Sequence, residues 1–394
     1  MTETSYLQLH NWLFNHALPA WAVRARDTEF GGTREELALD GSLSDPGFKR
    51  VRVPARQVYV YSHASLMGWA PGLDAAQQQF DVLVKSAWLG PNVGWAKRLN
   101  SDNSINDPTI DLYDNAFALF GLAWYFRASG DMRAKILIME TATLITEKLR
   151  HPKIGFWHQI PVSGPRIQNP HMHLLEACLA CLEAFHDPLI ERLAREVLSL
   201  FQAHFFDATT MTLGEFFDDN LERIGGESGD IIEPGHQMEW AWILSKAQSL
   251  LDVDLKDEAR GLVMFAEAHG VCRHGPMRGT TLNALRVSGA PLDAGSRTWP
   301  NTERLKSAVA MFELFGDDPR PVVNETLEAL FRLHLAHPIA GLWYDAFDAD
   351  ASMTARAIPT STFYHVFLAF SEVLRIGQRL EFEASSVGSG SDVV

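Results

Sequence analysis

The sequence predicts an all-α fold: six helical hairpins closed into an (α/α)6 barrel, with short β-hairpin or loop insertions. Three observations carry this. Short glycine-aromatic or glycine-polar segments recur at a fixed spacing. Gly32, Gly94, Gly155 and Gly214 follow one another at 62, 61 and 59 residues, and Gly341 comes 127 residues later, about twice the period. The stretches between them carry apolar residues at helical spacing. Short polar stops divide those stretches into pairs, which makes antiparallel helix neighbours. Six units of about 61 residues account for nearly all of the 394-residue chain. Such repetition is weighed before any division into domains.

The units read in order as follows. The first turn segment is Glu29-Phe30-Gly31-Gly32. The second unit supplies helices over Pro54 to Trp69 and Ala75 to Trp88, and the third over Leu112 to Ala128 and Met132 to Leu149, split by Ser129-Gly130-Asp131. The fourth supplies Pro170 to Phe185, then Pro188 to Phe206 after the stop His186-Asp187. Asn169 before Pro170 has the favoured order of N-cap followed by first-turn proline. A degenerate fifth turn is expected near Arg273 to Gly279, and the sixth is Ala340-Gly341-Leu342-Trp343-Tyr344. Twelve helices could also stack as an open solenoid. Closure is favoured because an open array needs capping ends, whereas these units differ in their polar insertions. The expected organisation is one barrel over residues 1–383 and a flexible Ser/Gly-rich tail over 384–394.

Composition bounds the function. With 46% apolar residues and 11 Trp, the chain has ample surface to bury and is not disordered. Its 49 acidic against 34 basic residues give a net charge of −15, which argues against nucleic-acid or anionic-membrane partners, since both need a basic footprint. No apolar run approaches the roughly 18–20 residues that span a bilayer. Met1 to Ala22 mixes Thr2, Glu3, His10, Asn11 and His16 among its apolar residues and lacks a signal-peptide core. The three cysteines make no disulfide framework, so a cytoplasmic setting is the default. Cys178 and Cys181 form a C-x-x-C inside an apolar helical pattern with no second ligand pair, and read as core packing. A homo-oligomer is left open.

In such a barrel the beginnings of the inner helices ring the mouth of an axial cavity, a natural ligand site. Three histidines fall near such helix starts at comparable places in their repeats: His173, His236 and His365. Asn169 and His173 are i, i+4, and His236 and Glu239 are i, i+3, so each pair shares a helix face. Histidine titrates nearest neutrality, which suits general acid–base chemistry. A lone helical histidine is usually packed or solvated, and His171, two residues from His173, reads as structural. Three at equivalent positions read as a site. No His-x-x-x-His or carboxylate ligand spacing supports a metal there, so neither metal nor cofactor is expected. Arg56 and Tyr113 interrupt apolar helices, and Trp299 and Glu303 (i, i+4) pair an apolar face with a carboxylate, as sugar platforms do. The polar stretch Asp218 to Gly235 reads as a lid or as an ordinary surface loop.

Several segments together resemble the N-acylglucosamine 2-epimerase superfamily: Asp111-Leu112-Tyr113-Asp114, Asn169-Pro170-His171-Met172-His173, Glu233-Pro234-Gly235-His236-Gln237-Met238-Glu239-Trp240, Trp299-Pro300-Asn301-Thr302-Glu303 and Ser361-Thr362-Phe363-Tyr364-His365. The resemblance runs from about Trp12 to Ile376 and is most like the aldose–ketose isomerase branch, the D-mannose isomerases. It implies an (α/α)6 barrel and a monosaccharide substrate. His236 and His365 match the catalytic histidine pair. His173 with Asn169 matches the group that assists ring opening. Arg56, Tyr113, Glu239, Trp299 and Glu303 match sugar-contacting positions.

The implied reaction interconverts D-mannose and D-fructose, with D-lyxose and D-xylulose as related substrates, through a cis-enediol. Arg56 would stabilise the developing enediolate charge. Monosaccharide 2-epimerisation, of mannose and glucose or of N-acylated hexosamines, is the alternative. Cellobiose 2-epimerases of the family carry a Trp shortly before the last catalytic His; Ile358-Pro359-Thr360-Ser361 stands here, which speaks against a disaccharide. A glycosidase on the same barrel would need two facing carboxylates, and Asp114 and Glu239 make no convincing pair. A non-catalytic helical repeat that binds sugar or peptide is the third reading.

Overall fold

A computed structural model of the chain describes residues 3–388; of the tail expected to be flexible, residues 384–388 instead continue the last helix, and residues 389–394 lie outside the described residues. Helices α1 (Glu3–Asn11) and α2 (Leu18–Arg24) are joined by a π-helical turn, Trp12–Ala17. Then come α3 (Arg52–Leu66), α4 (Gly72–Ala87), α5 (Leu112–Ser129), α6 (Met132–Lys148), α7 (Asn169–Ala184) and α8 (Pro188–Leu200). After the single turn α9 (Gly226–Gly229) follow α10 (Pro234–Leu251), α11 (Lys256–His269), α12 (Thr298–Phe315), α13 (Arg320–Arg332) and α14 (Thr362–Gly388).

The helices form two concentric rings. The inner ring runs α3, α5, α7, α10, α12, α14, and α14 packs back against α3, closing the circle. Each inner helix is backed by its sequence neighbour, α4, α6, α8, α11 and α13, while α1 from the N-terminus backs α14. The predicted (α/α)6 barrel is therefore the fold. Sequence pattern separates the rings. Outer helix α8 buries one stripe, Ile190, Leu193, Ala194, Val197 and Leu198, the spacing of a half-exposed helix. Inner helix α5 buries apolar residues on every side, as a doubly covered helix must. Asp111 caps α5 by accepting from the Asp114 amide at 3.1 Å, and Asp187 caps α8 by accepting from the Leu189 amide at 2.8 Å.

The repeating glycine segments are tight turns after the outer helices, fastened by bridges such as Trp88 to Trp95 and Arg150 to Phe156. The degenerate fifth copy is one of them, closed by Val271 to Thr281. Gly94 has φ +78°, and a Cβ there would lie 2.7 Å from Asn115 Oδ1, so this position needs glycine. At the end of the barrel where the inner helices begin, short antiparallel strands tie neighbouring connections together: Ile110–Asp111 to Gln159–Ile160, Arg166–Ile167 to Phe216–Phe217, and Ser296–Arg297 to Ala346–Phe347. The pairing of Glu36–Leu37 with Ile358–Pro359 joins the first unit to the last and closes the ring a second time. The core between the rings is aromatic: Trp21 stacks on Trp343 at 4.4 Å and donates its indole N–H to the Gly341 carbonyl at 3.0 Å. Cys178 and Cys181 are fully buried free thiols within that core. No helix among the described residues is long and apolar enough to cross a membrane.

Candidate active site

The first turns of the inner helices converge on a cavity of about 370 Å³. Eight of the nine residues singled out from sequence line it: Arg56 from α3, Tyr113 from α5, Asn169 and His173 from α7, His236 and Glu239 from α10, Trp299 from α12 and His365 from α14. The ninth, Glu303, lies fully buried behind the wall, where His365 reaches it. A larger cavity, about 780 Å³, opens at the other end of the ring among residues of the C-terminal halves of the inner helices, including Trp124, Trp242 and Arg375. The smaller one is the candidate site because it alone gathers the three histidines with convergent polar groups.

Each histidine is held through Nδ1 by a carboxylate. His173 meets Glu176 at 2.9 Å, His236 meets Glu215 at 3.0 Å, and His365 meets Glu303 at 2.8 Å. Such a contact fixes ring orientation and leaves Nε2 to the cavity side. The three environments nevertheless differ in charge. Burial opposes charge on His236, but the Glu215 and Glu233 carboxylates beside it dominate and raise it to about 10, so it is an imidazolium at neutral pH. Burial, together with the neighbouring Arg56 and Lys306 cations, holds His365 well below the ordinary histidine range, and it is neutral. Burial lowers His173 to about 3, and it is neutral as well. Titratable groups whose surroundings push them apart in this way suit opposite roles in proton transfer.

Trp299 lies beside both His236 and His365, with ring centroids 5.1 Å from the first and 5.6 Å from the second. Arg56 donates to the Tyr113 hydroxyl at 2.8 Å and to the Ser361 carbonyl at 3.1 Å, with its guanidinium 4.0 Å above the Phe117 ring. The remaining Arg56 Nε, with Asn169 Oδ1 and Glu239 Oε1, is buried without a hydrogen-bond partner in the protein. Buried polar atoms of this kind are costly unless something pairs with them, and a polyhydroxylated ligand supplies both donors and acceptors. Arg50, Glu233, Arg297 and Asp345 complete the charged part of the lining.

Asn169 corrects one expectation. It is the first residue of α7 rather than its cap, and its side chain makes no capping bond; its amide lies 3.1 Å from His236 Nε2 instead. His171 points away from the cavity, toward Phe205 and the Ile167 carbonyl, as expected of a structural residue. Asp114 is fully buried in a bidentate pair with Arg52 outside the cavity, so it offers no partner carboxylate to Glu239. The stretch Asp218 to Gly235 is tied down by the Ile231–Ile232 strand, which pairs with Leu285–Arg286. Among the described residues, three groups combine histidine and carboxylate ligand atoms within cation-binding reach: His173, Glu176 and Glu239; Glu215, Glu233 and His236; and Glu239, Glu303 and His365. In the last, Lys306 already occupies the cation's place, its Nζ 2.6 Å from Glu303 and 3.6 Å from Glu239.

Sequence reasoning missed Glu215, Glu233, Arg297, Asp345, Glu176 and Lys306. Glu176 and Lys306 carried a usable signal, since each stands three residues after a selected one on the same helix face. The others come from connections between helices, where spacing along the chain carries no such signal.

Comparison with known proteins agrees with this architecture. The family model described as N-acylglucosamine 2-epimerase matches residues 31–369. A mannose-6-phosphate isomerase of Rhizobium meliloti (strain 1021) is 32% identical over 375 residues, covering 93% of this chain and 96% of its own length. Among solved structures, a cellobiose 2-epimerase from Bacillus thermoamylovorans B4167 superimposes with TM-score 0.85 at 20% identity, covering 95% of this chain and all of its own. A D-mannose isomerase does so with TM-score 0.81 at 18% identity, covering 95% and 98%.

Proposed function

This chain belongs to the N-acylglucosamine 2-epimerase family and is a sugar isomerase or epimerase, and on that premise we propose that it interconverts D-mannose and D-fructose. One observation carries the reading: His236 and His365 flank one small cavity, each anchored on a buried carboxylate, the first protonated and the second neutral at neutral pH.

The chemistry follows from that asymmetry. The proton on C2 of mannose is acidic only in the open-chain aldehyde. His173, with Asn169 beside it, assists ring opening. Neutral His365 then takes the C2 proton through Nε2 while the His236 imidazolium gives a proton to the carbonyl oxygen, forming the cis-enediol. Arg56 offsets the charge that develops on the enediol oxygens. Return of the proton from His365 to C1, with His236 taking the proton of the C2 hydroxyl, gives fructose. Tyr113, Glu239 and Trp299 hold the sugar; Glu303 acts through His365. A cavity of about 370 Å³ is at the small end for ligand sites and suits a monosaccharide.

The second reading is 2-epimerisation, favoured by the presence of two histidines around one ring-binding aromatic residue. It requires delivery of the proton to the opposite face of C2. The name of the Rhizobium meliloti relative raises a phosphorylated mannose as substrate. The rim favours the free sugar, because Arg50 is already paired with Glu35, Arg297 lies 3.6 Å from Glu233, and Asp345 also faces the cavity.

Chromatographic identification of products from D-mannose, D-mannose 6-phosphate, D-lyxose and N-acetylmannosamine in heavy water tests these readings together. Fructose carrying deuterium is expected from mannose. Glucose as the main product would replace isomerisation by epimerisation, and no conversion of any of these sugars would overturn the proposal.

A further inference from the structure

Among the described residues, Lys306 is the ammonium that stands in the wall beneath the histidines, and it is fully buried. Its Nζ makes an ion pair with Glu303 Oε2 at 2.6 Å, stands 3.6 Å from Glu239 Oε1, and lies 4.4 Å from the Trp242 ring centroid. Glu176 and Tyr364 face the same pocket of charge from α7 and α14. Three buried carboxylates, Glu176, Glu239 and Glu303, thus share a single lysine.

The consequence falls on Glu303, whose other oxygen meets His365 Nδ1 at 2.8 Å. Two proton arrangements fit that contact. With Glu303 ionised, His365 donates Nδ1–H to it and Nε2 carries a lone pair. With Glu303 protonated, the carboxylic acid donates to Nδ1, and the neutral ring must carry its proton on Nε2, where it cannot act as a base. Burial, and after it the adjacent Glu239, hold Glu303 well above the ordinary carboxylate range, and Lys306 is the cation that opposes them. We propose that Lys306 is a positioning residue for proton transfer at His365: by holding Glu303 as a carboxylate it sets the tautomer that leaves Nε2 free toward the cavity. His236 needs no such lysine, because Glu215 and Glu233 both face its Nδ1 and hold the ring as an imidazolium, which carries a proton on each nitrogen whichever carboxylate is nearer.

The idea rests on His365 acting as the base of the proposed reaction, so the test has a part that needs no turnover. In protein labelled with 15N in the histidine rings, the His365 signals, assigned by their loss in His365→Asn, are expected to show Nδ1–H in the unmodified chain and Nε2–H in Lys306→Met. Turnover of mannose by Lys306→Met should fall by on the order of 10²–10⁴-fold, the cost of a misplaced base proton, with KM within about threefold.

Glu303→Gln alone should be equally impaired. Its carbonyl is drawn to Lys306, and its NH2 then faces Nδ1 and imposes the same wrong tautomer. In Lys306→Met/Glu303→Gln the amide is free to turn its carbonyl to Nδ1, with its NH2 toward Glu239. This double variant should recover at least about tenfold over either single one. An unmodified chain with Nε2–H on His365, or an unchanged tautomer in Lys306→Met, would overturn the proposal, as would a double variant as poor as the product of the single losses. The spectrum of the unmodified chain decides the point even if no variant folds. Correct tautomers with no conversion of any sugar would instead count against the catalytic reading.

Discussion

Replacing Glu215 by Gln isolates what holds the proton on His236. The carboxylate touches Nδ1 through both oxygens, at 3.0 and 3.1 Å, while Glu233 stands farther off at 3.7 Å. His236 is raised to about 10 from an ordinary 6.5. An opposite charge at this range contributes roughly one to three pH units, so Glu215→Gln should bring His236 down to between about 7 and 9. Each unit corresponds to about 1.4 kcal/mol of lost preference for the imidazolium. The sign is fixed by the role: the acid must be protonated, so activity is lost as pH rises through its pKa. The alkaline limb of kcat/KM for mannose conversion should therefore move from near 10 to between about 7 and 9, while the acid limb, set by neutral His365 well below 6.5, stays in place. Near pH 7 the variant should retain much of its turnover. Gln168, which donates to Glu215 Oε2 at 3.0 Å, can still find the Gln carbonyl, and unchanged thermal melting checks that the site is intact. An alkaline limb that does not move, or an acid limb that does, would refute the assignment of His236 as the acid.

Other outcomes follow from the same geometry. Arg56→Lys should cut kcat by about 10²-fold with little effect on melting, because an ammonium cannot hold the Tyr113 hydroxyl and the Ser361 carbonyl while presenting a third donor; comparable kcat would remove Arg56 from charge stabilisation. Mannose conversion should survive EDTA, since Lys306 already stands in one of the fully buried candidate cation positions, and a loss restored by an added divalent ion would show otherwise. Gly94→Ala should cost about 1–3 kcal/mol in urea unfolding, from left-handed backbone and a Cβ driven into Asn115 Oδ1; unchanged stability would mean that the turn relaxes freely.

The barrel was legible because its signal is periodic. Glycine turns at near-constant spacing and apolar helices between them are properties of the sequence itself, and closure is favoured over an open solenoid because an open array needs capping ends. The histidines were legible for a related reason: equivalent positions in equivalent units reach the same place. The carboxylates behind them were less so. Glu215 sits in a turn segment that read only as part of the repeat, and it meets His236 because the Phe216–Phe217 strand pairs with Arg166–Ile167 beside the start of α7. Asn169 shows the opposite failure. Its Asn-Pro order fits a cap, but the side chain turns to His236 across the cavity rather than bonding its own helix. Charge state was out of reach altogether, since it depends on which acids share a lysine.

The second closure of the ring bears on how the molecule is made. The Arg56 guanidinium bonds the Ser361 carbonyl across 305 residues, and the strand at Glu36–Leu37 has its partner at Ile358–Pro359. The entropy of bringing such distant segments together must be met before their contacts give anything back. During synthesis, successive hairpins can form as they emerge, yet the cavity has no complete wall until α14 arrives carrying His365. Until then the inner face of an unfinished arc shows apolar helices to water, the condition in which large proteins aggregate. Structure acquired unit by unit, with activity appearing only at the end, is the refolding behaviour that a closed circle imposes.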